Sequence, residues 1–202
     1  MAAAALPFGP VGPSAAHICV DPQKIFLEAT PWQVEWLARI LPLVAEIARR
    51  KAEATIFTRF MPPRRAEDAP GAWRRYHQRW REFTRERIDP RLLELAPPLA
   101  ALVPPALVID KPVYSPFSGV RLDRTLRERN IDTLVVTGAE TDVCVLATVL
   151  GAMDRGYRVI VVTDAVCSSA DQGHDALVQQ YQCRFSQQLE TVDTETLLRV
   201  WD

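Results

Sequence analysis

The stretch VVTGAETDVCVLATVLGAMDRGYRVIVVTDA, residues 135–165, decides the fold. It opens on an apolar run that ends at Thr137 and Gly138, continues with apolar residues at helical spacing, and returns after Gly156 to a second β-branched run, RVIVVTD. Strand, helix and strand within about 30 residues make a βαβ unit, whose strands are parallel and whose crossover is right-handed. Cys144 falls where the first strand gives way to the helix. Unpaired backbone N–H groups and the positive end of the helix dipole lower a thiol's pKa there, so the position predicts a nucleophile.

Working outward, the same alternation recurs. Strands are predicted at HICVD (17–21), ATIFTR (54–59), ALVIDK (106–111), TLVVTG (133–138), RVIVVTD (158–164) and a weaker LETVD (189–193). Helices are predicted over about 31–52, 71–95, 119–129, 142–155, 173–182 and 194–201, with Pro42 expected to kink or restart the first. Near-continuous apolar strands separated by helices predict an α/β fold, a three-layer α/β/α sandwich around a mainly parallel six-stranded sheet. Ligands in such folds bind beyond the carboxyl ends of the strands. Two charged residues stand at such ends besides Cys144: Asp21 closes the first strand and Lys111 the third.

With 202 residues and 48% hydrophobic composition, the chain can bury the core of a single domain, expected over 17–202 behind a flexible lead-in at 1–16. A net charge of −1 argues against a whole-protein field for nucleic acid or membrane. The amino terminus lacks a basic region and is broken by Pro and Gly, so it does not read as a signal peptide. Cys19, Cys144, Cys167 and Cys183 form no CxxC pair, which favours reduced thiols and a cytoplasmic setting. Of the histidines, His17 begins a strand at the wrong end of the sheet, and only His174 is expected near the active edge, as a capping or subunit contact.

The segments CVDPQKIF (19–26), DKPVYSPFSGVRLDRTL (110–126), VVTGAETDVCVLAT (135–148) and DRGYRVIVVTDAV (154–166) resemble the isochorismatase-like cysteine hydrolases, in that family's order and spacing. The resemblance implies a Rossmann-like hydrolase fold, a homo-oligomer (dimer or tetramer), and a catalytic triad of Asp21, Lys111 and Cys144. It implies an oxyanion hole from the backbone N–H groups of Thr141 and Cys144, with a non-proline cis peptide between Glu140 and Thr141. The residues agree with such a triad, since a thiol with a carboxylate to take its proton and an ammonium to balance charge needs no histidine. The implied reaction is hydrolysis of an amide, ureido or carbamoyl C–N bond of a small molecule through a thioester. Isochorismatase proper, a vinyl-ether hydrolase, is the alternative enzyme, but those relatives lack the nucleophilic cysteine.

Gln23, Phe26, Trp32, Arg59, Tyr114 and Phe117 lie near the same edge and are expected to line the substrate pocket, with Arg59 suited to a substrate carboxylate. No cofactor or metal is expected. Nicotinamidase-type members of the resembled family bind a divalent ion through Asp-x-His after the second strand, where this chain has Phe60 and Pro62. The segment 71–87 holds six arginines and two glutamates, with Trp73, Tyr76, Trp80 and Phe83 on one helical face. Arginine beside aromatics keeps a nucleic-acid or protein-binding module as the non-enzyme alternative. The balanced remainder of the chain favours docking of that face on the domain or a second subunit.

Overall fold

Side chains alternate along strand β1 (Ala15–Val20), so Ala15 and Cys19 join one core while Ala16, Ile18 and Val20 join another. Both faces are buried, as a parallel sheet requires. The computed structural model describes residues 6–201. Strands β2 (Thr55–Phe60), β3 (Leu107–Lys111), β4 (Thr133–Ala139), β5 (Arg158–Cys167) and β6 (Leu189–Val192) complete one sheet of order β3-β2-β1-β4-β5-β6, every pair parallel. The three-layer α/β/α fold is as expected.

The helices are α1 (Lys24–Leu27), α2 (Leu37–Arg50), α3 (Gly71–Arg79), α4 (Pro97–Ala100), α5 (Val120–Glu128), α6 (Leu146–Met153), α7 (Asp171–Cys183) and α8 (Thr194–Val200). On one face α2, α4 and α8 bury Leu37, Val44, Ile47, Leu99 and Leu197. On the other α5, α6 and α7 bury Leu122, Leu126, Val149, Ala152 and Tyr181. The strand order reverses between β1 and β4, and a crevice at such a switch point is where an α/β sheet binds its ligand.

Three expectations are corrected. The first long helix begins at Leu37, not residue 31, because Thr30 Oγ1 accepts from Trp32 N and donates to the Ile25 carbonyl, which holds residues 30–32 in a turn; α2 then runs on through Pro42 without a restart. The helix expected over 71–95 ends at Arg79. Beyond it the N–H groups of Arg85 and Glu86 donate to the carbonyls of Pro63 and Arg64, so the chain folds back on the segment after β2. The lead-in, as far as it is described, is packed: Leu6 and Val11 are buried, and Val11 pairs with Trp201. Residues 1–5 lie outside the described residues. Among the described residues no helix is long and apolar enough to cross a membrane.

Candidate active site

Three strands, β1 and β4 at the switch point and β3 at the sheet edge, each deliver one polar side chain. Asp21 follows β1 at φ 49°, a left-handed conformation that Asp tolerates better than most residues and that turns the chain sharply off the strand. Lys111 ends β3, and Cys144 lies in a single π turn, Thr141–Val145, between β4 and α6. The backbones of β1 and β4 approach closely here. A Cβ on Gly138, at φ +106°, would stand 2.2 Å from the Val20 carbonyl oxygen, so only glycine fits the motif at this point.

The three side chains meet. Lys111 Nζ lies 2.7 Å from Asp21 Oδ2 as an ion pair, and donates to Cys144 Sγ at 3.3 Å and to the Val113 carbonyl at 3.2 Å. Asp21 Oδ1 accepts from Thr58 Oγ1 at 2.7 Å. Asp21 and Lys111 side chains are each 1% exposed, and Cys144 is 8% exposed. Burial, and then the charge of Asp21, push the Cys144 thiol above its ordinary value against the opposing pull of Lys111. For Lys111, burial acts downward but is outweighed by Asp21 and Cys144, so its pKa is raised. The site thus sets a buried ion pair beside the Cys144 thiol, with burial and Asp21 opposing its ionisation and Lys111 favouring it.

The turn that carries Cys144 is clamped from the side of β5 and α7. Thr141 Oγ1 is 2.9 Å from His174 Nδ1, and the Thr141 carbonyl accepts from Tyr181 Oη at 3.1 Å. Asp142 accepts from Ser168 Oγ at 2.5 Å, and Glu140 Oε1 accepts from Ser169 N at 3.0 Å. The N–H groups of Val143 and Val145 both donate to the Glu140 carbonyl. The non-proline cis peptide joins Ala139 to Glu140, one residue before the expected place. Nothing in the local pattern marked His174 or Tyr181 as partners of Thr141, because 33 and 40 residues separate them.

Of the expected pocket residues, Tyr114 alone fits that role directly: it is 39% exposed, and burial is the first cause that raises its pKa. Gln23 is fully buried, donating to the carbonyls of Phe60 and Leu93 and accepting from Phe60 N, so it latches the β1 and β2 loops. Arg59 spends Nε and Nη2 on Asp110 at 2.7 and 3.0 Å. Phe117 is buried against Tyr157 and under Arg155. Phe26 and Trp32 belong to an aromatic cluster, in which Trp32 touches Phe60, Tyr76, Trp80 and Phe83. That cluster continues through Trp73, whose ring is 4.7 Å from Tyr114, 5.3 Å from Tyr76 and 6.3 Å from Phe60. Lys111 Nζ stands 5.5 Å from the Phe60 ring. The aromatic face of α3 thus docks on the site of its own chain. Cys167 and His174 line a separate cavity of about 500 Å³ beside α2.

Neither residue at the expected metal position after β2 carries a ligating side chain. Phe60 packs beneath Lys111 and Pro62 offers only a carbonyl, which accepts from Arg85 Nε.

A family model for the isochorismatase domain matches residues 15–194. The chain belongs to the isochorismatase family. This isochorismatase-family protein is 41% identical over 71 residues to the uncharacterized isochorismatase family protein PncA of Bacillus subtilis, a stretch covering 35% of this chain and 39% of the relative. It is 47% identical over 62 residues to the ureidoacrylate amidohydrolase RutB of Methylobacterium radiotolerans, covering 31% of this chain and 24% of that one. The matches therefore span well under half the length of these curated relatives. A crystal structure of a cysteine hydrolase from Pseudomonas syringae pv. phaseolicola superposes with a TM-score of 0.79 at 25% identity, over 98% of this chain and 97% of that one.

Proposed function

We propose that this isochorismatase-family protein hydrolyses a C–N bond of a small amide, ureido or carbamoyl compound through a Cys144 thioester. The observation that carries the reading is the placement of Lys111 Nζ between Asp21 Oδ2 and Cys144 Sγ, at 2.7 and 3.3 Å. The amidohydrolase activity of a matched relative supports it.

Burial and Asp21 oppose ionisation of the thiol, so attack and deprotonation are coupled in this reading. Cys144 Sγ bonds to the carbonyl carbon as its proton passes to Asp21; with its partner neutralised, the Lys111 ammonium balances the negative charge that develops on the adduct. The carbonyl oxygen becomes an oxyanion held by the N–H groups of Thr141 and Cys144, which share one turn. Asp21 returns the proton to the nitrogen as the C–N bond breaks, and the amine or ammonia leaves. Water then adds to the thioester with Asp21 as base, releasing the acid and restoring the thiol.

An ammonia-release screen over small amides and ureido compounds tests the reading, with wild type beside Cys144→Ala. Turnover that vanishes in the variant, together with a covalent acyl adduct on Cys144 by intact mass, is expected. Turnover retained by Cys144→Ala would place the chemistry elsewhere.

A further inference from the structure

The turn that aims Cys144 is held from outside itself, and given the hydrolase reading above its anchors bear on the reaction. A π turn carries one residue more than an α turn, so its shape depends on what surrounds it. Here the N–H groups of Val143 and Val145 share one acceptor, the Glu140 carbonyl. Outside bonds reach three successive residues: Ser169 N donates to Glu140, Ser168 Oγ donates to Asp142, and Thr141 is held twice. The Thr141 hydroxyl lies 2.9 Å from His174 Nδ1, and the Thr141 carbonyl accepts from Tyr181 Oη at 3.1 Å. His174 and Tyr181 stand at i and i+7 on α7, so they share one face of that helix. Tyr181 is fully buried. A Cβ on Gly173, the neighbour of His174, would stand 2.3 Å from Asp142 Oδ2, so α7 is seated directly against the turn.

Addition to a carbonyl tolerates little error in the aim of the nucleophile, and a displacement of about 1 Å can lower a rate about 100-fold. The Thr141 carbonyl belongs to the first peptide of the turn, and Cys144 follows within the same turn. A swing of that peptide turns every residue after it. We infer that His174 and Tyr181 are positioning residues: through Thr141 they hold the turn so that Cys144 Sγ and the N–H groups of the turn meet one carbonyl group. Neither side chain belongs to the triad, and both come from an element that the reaction does not otherwise use.

The probe is p-nitrophenyl acetate, an activated ester, with the exposed Cys183 changed to serine throughout. Cys144 Sγ bonds to the acetyl carbon, the thiol proton goes to Asp21, the ester C–O bond breaks and coloured p-nitrophenolate leaves. The parent protein is expected to release a fast equivalent that Cys144→Ala abolishes. Tyr181→Phe removes only the hydroxyl and His174→Ala removes the ring, and each is expected to slow acylation at least about tenfold. His174→Asn offers a nitrogen where Nδ1 stood and is expected to recover most of the rate, which a merely structural role would not predict for variants that are all folded. Urea melts beside the assay establish the folded fraction, and Tyr181→Phe, which keeps the ring, carries the test if His174→Ala does not fold. The parent rate in either folded variant, or His174→Asn no faster than a folded His174→Ala, overturns the inference and leaves the hydrolase reading standing. A parent protein without a burst that depends on Cys144 sinks the acyl-transfer reading and the inference with it.

Discussion

Lys111 Nζ stands 2.7 Å from Asp21 Oδ2, with both side chains 1% exposed. A buried pair of this kind is costly to break from one side, roughly 3–5 kcal/mol, because the remaining charge is left without a partner. Removing both charges is cheaper. Asp21→Asn and Lys111→Met are therefore each expected to lose stability as well as turnover, with kcat down about 100- to 10,000-fold for Asp21→Asn. The double variant should regain much of the stability in urea melts but none of the activity. Recovery of activity in the double variant, or full activity in Asp21→Asn, would remove the pair from the chemistry.

Cys144 is held as a thiol by burial and by Asp21, so its reaction with iodoacetamide in the absence of substrate is expected to be slow at pH 7 and to climb steeply above pH 9. Cys183 is exposed and should label first, and Cys19, buried and pushed up to about 12, last. Peptide mapping after timed labelling reads the order. Fast, pH-independent labelling of Cys144 near neutrality would mean a preformed thiolate.

At Gly138 a Cβ would meet the backbone of Val20 at 2.2 Å from its oxygen and 2.6 Å from its nitrogen, and φ is +106°. Backbone atoms cannot swing aside as a side chain does. Gly138→Ala is expected to cost at least about 3 kcal/mol and to displace the Cys144 turn, lowering activity even in the folded fraction. Wild-type stability for this variant would show that β1 and β4 have room to separate.

Activity should survive chelation. Phe60 and Pro62 present no side-chain lone pair after β2, and among the described residues no three His, Cys, Asp or Glu side chains gather as a ligand set. Dialysis against EDTA with turnover before and after is the check, and loss restored by zinc, iron or manganese would contradict the ligand chemistry.

The β-branched runs and their turn residues made all six strands legible, because a strand buried on both faces has few other sequences open to it. Asp21, Lys111 and Cys144 were legible for a related reason: each ends or follows a strand, and parallel strands bring their carboxyl ends to one edge. The pocket walls were not. Gln23, Arg59 and Phe117 sit at the right edge in sequence, but Asp110, the Phe60 backbone and Tyr157 take them up, partners that only the packed register supplies. Trp73 and Tyr76 showed their shared face, yet nothing local said that the face closes over the triad. The thiol's state depended on burial and on Asp21, which lies 123 residues away in the chain (144 − 21).

His17 carries the last prediction. It is buried in β1 between two threonines, with Nδ1 3.2 Å from Thr55 Oγ1 and Nε2 2.7 Å from Thr137 Oγ1. Thr55 Oγ1 donates its own proton to the Lys51 carbonyl at 2.8 Å, so it accepts from His17 Nδ1–H, and Thr137 donates to Nε2. That network assigns a neutral imidazole. Burial lowers the His17 pKa to about 3, and burial also lowers His77 within its aromatic cluster. A folded pKa below the unfolded value near 6.5 means that the unfolded chain binds the proton first. The stability each histidine contributes is thus complete above about pH 6.5 and is lost as pH falls toward the folded value, at roughly 1 kcal/mol per pH unit for a single group. Urea melts at pH 7, 6 and 5 should show this fall before the carboxylates titrate, and His17→Gln, neutral throughout, should make the slope shallower by about one group's share. Equal stability at pH 7 and 5 in the wild type would mean that His17 is already charged in the fold, against the hydrogen bonds that hold it.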